Sequence, residues 1–311
     1  MLIRNKQLKQ LLEQIQDDCN LLKDKLEIDI LENYASNVRL FTQSVLGFCC
    51  IILFIFSTLQ YLPFILHILP FNKSQSLQLL SFTEYLIIPD KYIYVMMLHE
   101  FLTIYVGLAT VLGTGLTIMI YVVHICVLLK IASYRIENII ERNILVISSP
   151  RREHLVYRRI IHAIVIHQRA IEYHKFFMSV FLKPFGFLVI IGIGSIIFAL
   201  FLFSQQMAAN NKGMALASFA LIQIYLIYLF VSNYGGQTVI DNGIIFSEAI
   251  YNGLWYAAPL STQKLLLFVM QRGRAYLSLT FYNVIVASFD GFAMLMKMSV
   301  SYFMVLNSTQ K

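Results

Sequence analysis

Apolar residues dominate long stretches of this chain, and polar ones punctuate them at wide intervals. Four stretches run without Lys, Arg, Asp or Glu for long enough to cross a bilayer, which takes roughly 17–25 residues. They lie at about 40–69, 95–129, 185–206 and 214–234, with Pro63 near the end of the first and His99 and Glu100 at the start of the second. A fifth, about 277–306, carries Asp290 and Lys297 inside it. The pattern predicts an all-α, polytopic membrane bundle of five helices. Residues 5–35 repeat Leu8, Leu11, Leu12, Ile15 and Leu22 at helical spacing with acids between, which predicts an amphipathic helix packed on other helices outside the lipid. Residues 137–177 are helical and basic in pattern. Their length implies that the helices on either side project well beyond the membrane. There is no internal repeat and no low-complexity linker, so residues 1–311 are read as a single transmembrane domain.

Composition agrees. Hydrophobic residues make up 58% and charged ones 13%, against roughly 45–50% and about 25% in soluble domains. Lys and Arg fix the orientation. Six fall in residues 1–40, two between the first and second spans, ten between the second and third, one in the next loop, three before the fifth span and one after it. By the positive-inside rule the N-terminus is cytoplasmic and the C-terminus extracellular. Leu2-Ile3-Arg4 turns polar at once, so no signal peptide is read at Met1. The net charge of +7 is mostly this bias, and the basic residues are too dispersed for a nucleic-acid surface. Cys19, Cys49, Cys50 and Cys126 all fall in cytoplasmic or spanning segments, which excludes an outer disulfide framework. Asn72-Lys73-Ser74 is a glycosylation sequon in the predicted outer loop, making Asn72 a candidate acceptor.

Catalytic chemistry finds no foothold. His154, His162, His167 and His174 are spaced eight, five and seven apart; His167 and His174 can share a face, but two histidines without a carboxylate are not a metal site. They read as solvated or interhelical histidines. No phosphate loop, nucleophile elbow or carboxylate pair is present, so no enzyme, cofactor or metal is expected. Gly107, Gly113, Gly115, Gly192 and Gly194 fit close helix packing in lipid. Tyr61, Tyr105, Phe198, Phe219 and Tyr225 lie in the predicted outer halves of the first four spans, where they are candidates to line an apolar small-molecule cavity or simply to pack.

The fifth span holds the sharpest pattern. At 100° per residue, Asn283, Asp290, Lys297, Ser301 and Ser308 form a narrow polar stripe. Phe281, Ile285, Phe292, Leu295, Phe303 and Leu306 lie opposite. Such a stripe is costly against lipid. It is either an intrachain polar seam, with Asp290 and Lys297 neutralising each other, or the lining of a pore formed by several copies.

Colinear motifs carry a resemblance. Ser301-Tyr302-Phe303-Met304-Val305-Leu306 is similar to the C-terminal signature of the insect odorant receptor family. Asn233-Tyr234-Gly235-Gly236-Gln237, Trp255-Tyr256, Pro259, and Gln263-Lys264 follow that family's order, as do Glu84-Tyr85, Lys91-Tyr92 and His99. Asp17-Asp18 and Tyr34-Ala35, leading to Arg39 and Thr42, resemble its segment before the third span. The resemblance covers essentially the whole chain. It implies seven spans, of which five are visible here, so about two would be missing from the N-terminal side. It also implies an odorant-gated, non-selective cation channel for smell detection in the plasma membrane of olfactory neurons. The chain would be the odorant-binding subunit of a heterotetramer with an olfactory co-receptor. The odorant would enter an outer apolar pocket formed by the second, third, fourth and sixth spans. A truncated, non-conducting product that binds no odorant is the alternative. By the same resemblance Val305 is the hydrophobic gate, and Ser301, Ser308, Asp290 and Lys297 belong to the pore. Gln263, Lys264 and Arg274 are then subunit contacts. Lys297 either points off-axis toward Asp290 or is diluted by co-receptor subunits.

Overall fold

A computed structural model describes residues 2–22, 24–68, 93–140, 149–273, 277–281 and 284–309. The helices are α1 (Leu2–Leu21), α2 (Lys25–Ile68), α3 (Ile93–Glu137), α4 (Ser149–Ala208), α5 (Lys212–Asn252), α6 (Leu260–Gly273) and α7 (Phe289–Ser308). A 3₁₀ turn, Trp255–Ala257, precedes α6. A two-stranded antiparallel hairpin, β1 (Thr280–Phe281) and β2 (Ile285–Val286), precedes α7. Among the described residues, five helices contain segments long and apolar enough to cross a membrane: Lys25–Ile55, Phe101–Glu137, Gly186–Ala208, Lys212–Asn252 and Phe289–Ser308.

Helix ends fall where side chains satisfy orphan backbone groups. The single helix expected over 5–35 is instead two. The chain breaks after Leu21, and Asp24 Oδ1 accepts the Leu26 amide (3.2 Å) to open α2. Asn210 closes α4 in the left-handed region (φ 56°), which asparagine tolerates, and the Asn211 amide reaches back to the Gln206 carbonyl (3.0 Å). Asn211 Oδ1 then accepts the Met214 amide at 3.3 Å and starts α5.

The larger correction concerns the last span. The described residues among its expected first twelve, 277–281 and 284–288, do not form helix. Thr280 pairs with Val286 and Phe281 with Ile285 across the hairpin. Phe281 and Ile285 therefore do not belong to α7, and Asn283 lies outside the described residues. The local sequence is rich in β-branched and aromatic residues, which suit a strand. Ser288 stops the hairpin and caps the helix, its Oγ accepting the Gly291 amide at 3.0 Å.

The contacts divide the chain into two compact units. The first contains Met1–Arg39, Ile118–Val189 and Val231–Phe292. Its core joins Leu11 of α1, Tyr121, Ile125 and Leu129 of α3, Val239, Phe246 and Ile250 of α5, and Leu266 of α6. α4 buries Val156, Ile160, Ala163, Ile166, Ala170, Tyr173, Phe177 and Val180 there, the three- and four-residue spacing of one helix face.

The second unit contains Leu40–Thr117, Ile190–Phe230 and Ala293–Lys311. It buries small or slender residues such as Cys49, Ile52, Ala199, Ala217, Ser218 and Ser299. It exposes Ile51, Phe54, Val95, Val106, Ile190 and Phe198. Apolar side chains on the outside suit lipid as the surrounding solvent. Hydroxyls there need an internal partner. Thr103, Thr110, Thr114 and Thr117 of α3 each donate to the carbonyl four residues earlier, at 2.8 Å.

Candidate functional site

Helix α7 presents its polar stripe outward. Asp290, Lys297, Ser301 and Ser308 are exposed, as are Met294, Met298, Met304 and Val305 beside them. Gly291, Leu295 and Ser299 are buried, and Phe292 and Phe303 half-buried, on the other side. Ser299 is fully buried and donates to the Leu295 carbonyl at 2.9 Å, so it belongs to the packed face. Leu306, expected on that face, is 46% exposed instead. Its angle lies at the margin of the buried side, and it sits one turn from the helix end, where no described residue buries it. Among the described residues, the stripe is not packed into an intrachain seam. Val305 is 58% exposed on the same outward surface.

The five aromatic candidates behave differently from one another. Tyr105 is half-buried, shares a hydrogen bond with Ser57 Oγ (2.8 Å) and stacks near Phe101 at 4.2 Å between centroids. Tyr225 is half-buried. Phe219 packs its ring 6.1 Å from Phe203 while remaining 46% exposed, and Phe198 is 58% exposed. The side chain of Tyr61 lies outside the described residues, as do Asn72 and Arg274.

The first unit is held by charges the sequence reading did not pair. Asp18 of α1 accepts from His124 Nε2 of α3 (3.1 Å) and from Arg169 Nη1 of α4 (2.6 Å). One carboxylate thus ties three helices. Glu27, 4% exposed at the start of α2, receives both Arg135 Nε (2.5 Å) and Nη2 (2.9 Å). This is the forked geometry that suits arginine. A cavity of about 30 Å³ lies between these groups, lined by Asp18, Cys19, His124, Arg135 and apolar neighbours. It has room for one or two waters and no more. Burial, with Asp18 beside it, pushes the Cys19 thiol up, so the thiol is a poor nucleophile. Tyr34 donates to Asn242 Oδ1 at 2.7 Å, joining α2 to α5.

Two of the four histidines pack inside the first unit, His167 between helices and His174 against the segment before β1. His167 stacks on Phe246 with ring centroids 3.9 Å apart, and burial holds its imidazole down at about 4. His174 donates from Nε2 to the Ser278 carbonyl at 3.1 Å, and burial lowers it too. His154 and His162 are exposed. Gln263 spends its amide on the Tyr256 (3.0 Å) and Ala258 (2.9 Å) carbonyls, so it braces the turn before α6, while Lys264 is exposed.

The start of α7 rests on α5. Asn233 Oδ1 accepts the Ser288 amide and Gln237 Oε1 the Phe289 amide, each at 3.2 Å. Between them Gly236 lies against the Ala287 backbone so closely that a Cβ would collide with its carbonyl. The sequence signals were the four-residue spacing of Asn233 and Gln237 and the Ser288 cap, both unread.

Among the described residues, five helices long and apolar enough to cross a membrane describe a multi-pass membrane protein. The family model described as "7tm Odorant receptor" matches residues 1–300, and the chain belongs to that family. The family is one of receptors, not an enzyme family. The fold is similar to that of the insect olfactory receptor OR5 from Machilis hrabei in complex with eugenol. The TM-score is 0.68 at 13% identity, over 90% of this chain and 70% of that one. A second structure of that receptor gives 0.66 at 12% identity, over 98% and 75%. At such identities the likeness concerns the fold. No curated protein matches the chain by sequence.

Proposed function

We propose that this odorant receptor is the odorant-binding subunit of a ligand-gated, non-selective cation channel. It assembles as a heterotetramer with an olfactory co-receptor in the plasma membrane of olfactory neurons. The N-terminus is cytoplasmic and the C-terminus extracellular, as the Lys and Arg distribution implies. The observation that carries the reading is the outward stripe of Lys297, Ser301 and Ser308, which is exposed and which no other described helix covers. A charge and two hydroxyls on the outside of a spanning helix need water or a partner, not hydrocarbon. A central axis shared by several subunits supplies water.

Val305 lies beside that stripe and serves as an apolar ring that closes the pore by dewetting. The ligand is a small volatile, of the kind eugenol is for the Machilis receptor. Tyr105, Tyr225, Phe198, Phe219 and Tyr61 are its candidate contacts. Lys264 and Arg274 contact neighbouring subunits, and co-receptor subunits dilute the ring of Lys297 charge. The ligand opens the channel only through higher affinity for the open arrangement. Recording current from Val305→Ala expressed with co-receptor tests this. A raised ligand-free current is expected; unchanged leak and unchanged gating would remove Val305 from the gate.

A further inference from the structure

Positive charge gathers at the start of α4, in a stretch that odorant binding and conduction leave unused. The chain has six prolines, and Pro150 is the one that follows a serine or threonine. The sequence there is Ser149-Pro150-Arg151-Arg152. An enzyme pocket with no partner for the amide after its target serine selects proline, which has no N–H to strand. A base three residues beyond the target, here Arg152, suits an acidic pocket on the same enzyme. Serine, proline and that base are what a proline-directed protein kinase reads.

The setting is open to such an enzyme. Ser149 begins α4, and Pro150 falls in the first turn, where its missing N–H costs no helical bond. Helix ends fray, so this segment can enter a cleft in extended form. Beyond it Arg151, Glu153, His154, Tyr157 and Arg158 are exposed. The apolar stretch of α4 begins only at Gly186. At about 1.5 Å per residue, roughly 55 Å of helix separates it from Ser149, which leaves room for a soluble enzyme.

The same stretch suits the product. Arg152 is three residues on and shares the face of Ser149. Arg152 Nε is buried and without a hydrogen-bond partner among the described residues. Arg159 is committed elsewhere, donating to the Asn138 carbonyl at 3.0 Å. A phosphate at a helix start also meets amides with no partner of their own and the positive end of the dipole.

We propose that Ser149 is a phosphorylation site for a proline-directed kinase, and that Arg152 and the first turn of α4 hold the phosphate. The kinase spends ATP. Ser149 Oγ bonds to the γ-phosphorus, the bond from that phosphorus to the bridging β-oxygen breaks, and ADP leaves. The hydroxyl proton passes to the base of the kinase. Access in cells rests on the cytoplasmic placement proposed above; the reaction on purified protein does not.

The full chain in detergent is incubated with Mg-ATP and a proline-directed kinase active on Ser-Pro-x-Arg peptides, and the phosphate is located by peptide mass spectrometry. It is expected on Ser149, absent in Ser149→Ala, retained in Ser148→Ala and restored on the threonine of Ser149→Thr. Arg152→Gln slows incorporation at least about tenfold, the equivalent of one charged hydrogen bond. No phosphate on Ser149, or a rate indifferent to Arg152, overturns the site. Phosphorylation slows amide exchange over Arg151 to Glu153 about two- to fivefold, as a charge at a helix start does. Unchanged exchange overturns the held phosphate. Receptor recovered from cells that express the same kinase carries the Ser149 phosphopeptide, and its absence there overturns the site in cells. An N-terminal epitope stained without permeabilisation sinks the cytoplasmic placement and the cellular claim together, and the purified chain still decides the motif.

Discussion

Replacing Glu27 with leucine tests how the first unit is held together. Glu27 is 4% exposed and receives two hydrogen bonds from Arg135. The Arg135 side chain is itself only 23% exposed, and its remaining amino group reaches the His162 carbonyl at 3.3 Å. Removing one member of a buried pair costs about 3–5 kcal/mol, mostly because the other charge is stranded. Arg135 keeps some solvent and one carbonyl, so the lower end applies, about 3 kcal/mol. For a unit of this size each kcal/mol moves the melting temperature by roughly 2–4 °C, which gives a fall of about 6–12 °C. Replacing both partners, Glu27→Leu with Arg135→Met, removes the stranded charge and is expected to recover most of the loss.

The assay is thermal unfolding in detergent, followed by a thiol-reactive dye. Cys126 is 1% exposed and becomes labelled when the first unit opens. A drop under about 2 °C for Glu27→Leu would refute the magnitude. A double variant no better than the single one would refute the reasoning behind it, because the cost would then lie in lost packing.

Acid should weaken the same unit through its histidines. His167 is held at about 4 by burial, below its value of about 6.5 in an unfolded chain. Protonation therefore favours the unfolded state. Stability is complete above pH ~6.5 and falls by at most about 1.4 kcal/mol per unit down to pH ~4. Melting temperature against pH should show this slope, and His167→Phe, which keeps the stack on Phe246, should flatten most of it; a slope unchanged by the substitution would shift the cause elsewhere. Two neighbouring glycines should separate cleanly. A Cβ at Gly235 meets Met119 Sδ and Val122 Cγ1 at an ordinary 3.6 Å, whereas one at Gly236 collides with the Ala287 carbonyl. Gly235→Ala should yield near-normal folded protein by size-exclusion chromatography and Gly236→Ala at least 1–3 kcal/mol less stable material, as overpacking typically costs about that.

The spanning helices were legible because lipid imposes one rule on twenty residues at a time. Any uncharged run of that length had to be helix, and α2 to α5 contain the four that were read. What failed were features decided by a few residues. Thr280 to Val286 is apolar enough to extend a span, but its β-branched and aromatic residues pair across a hairpin. The break between α1 and α2 turns on Asp24, a capping residue inside a continuous amphipathic pattern. On the site, the polar stripe of α7 followed from periodicity alone, since exposure and helical angle agree for Asp290, Lys297, Ser301 and Ser308. The acceptors beneath it were hidden. Asn233 and Gln237 meet Ser288 and Phe289 across more than fifty residues of sequence, and periodicity carries no information at that range. The same holds for Glu27 and Arg135, which are 108 apart.

The discontinuity of the first unit sets a timetable for its synthesis. Its core draws on residues 1–39, 118–189 and 231–292, with spanning segments threaded between them. Leu11 waits for Tyr173, which is 162 residues behind it in the chain. At translation rates of about 5–20 residues per second, that is roughly 8–30 s during which α1 has no α4 to cover it. α6, and the hairpin that closes onto Ala287, arrive later still. A newborn receptor therefore holds α1 against α3 alone, through Tyr121 and His124, until α4 arrives. Partners that bind exposed apolar surface have their longest opportunity on the chain in that interval.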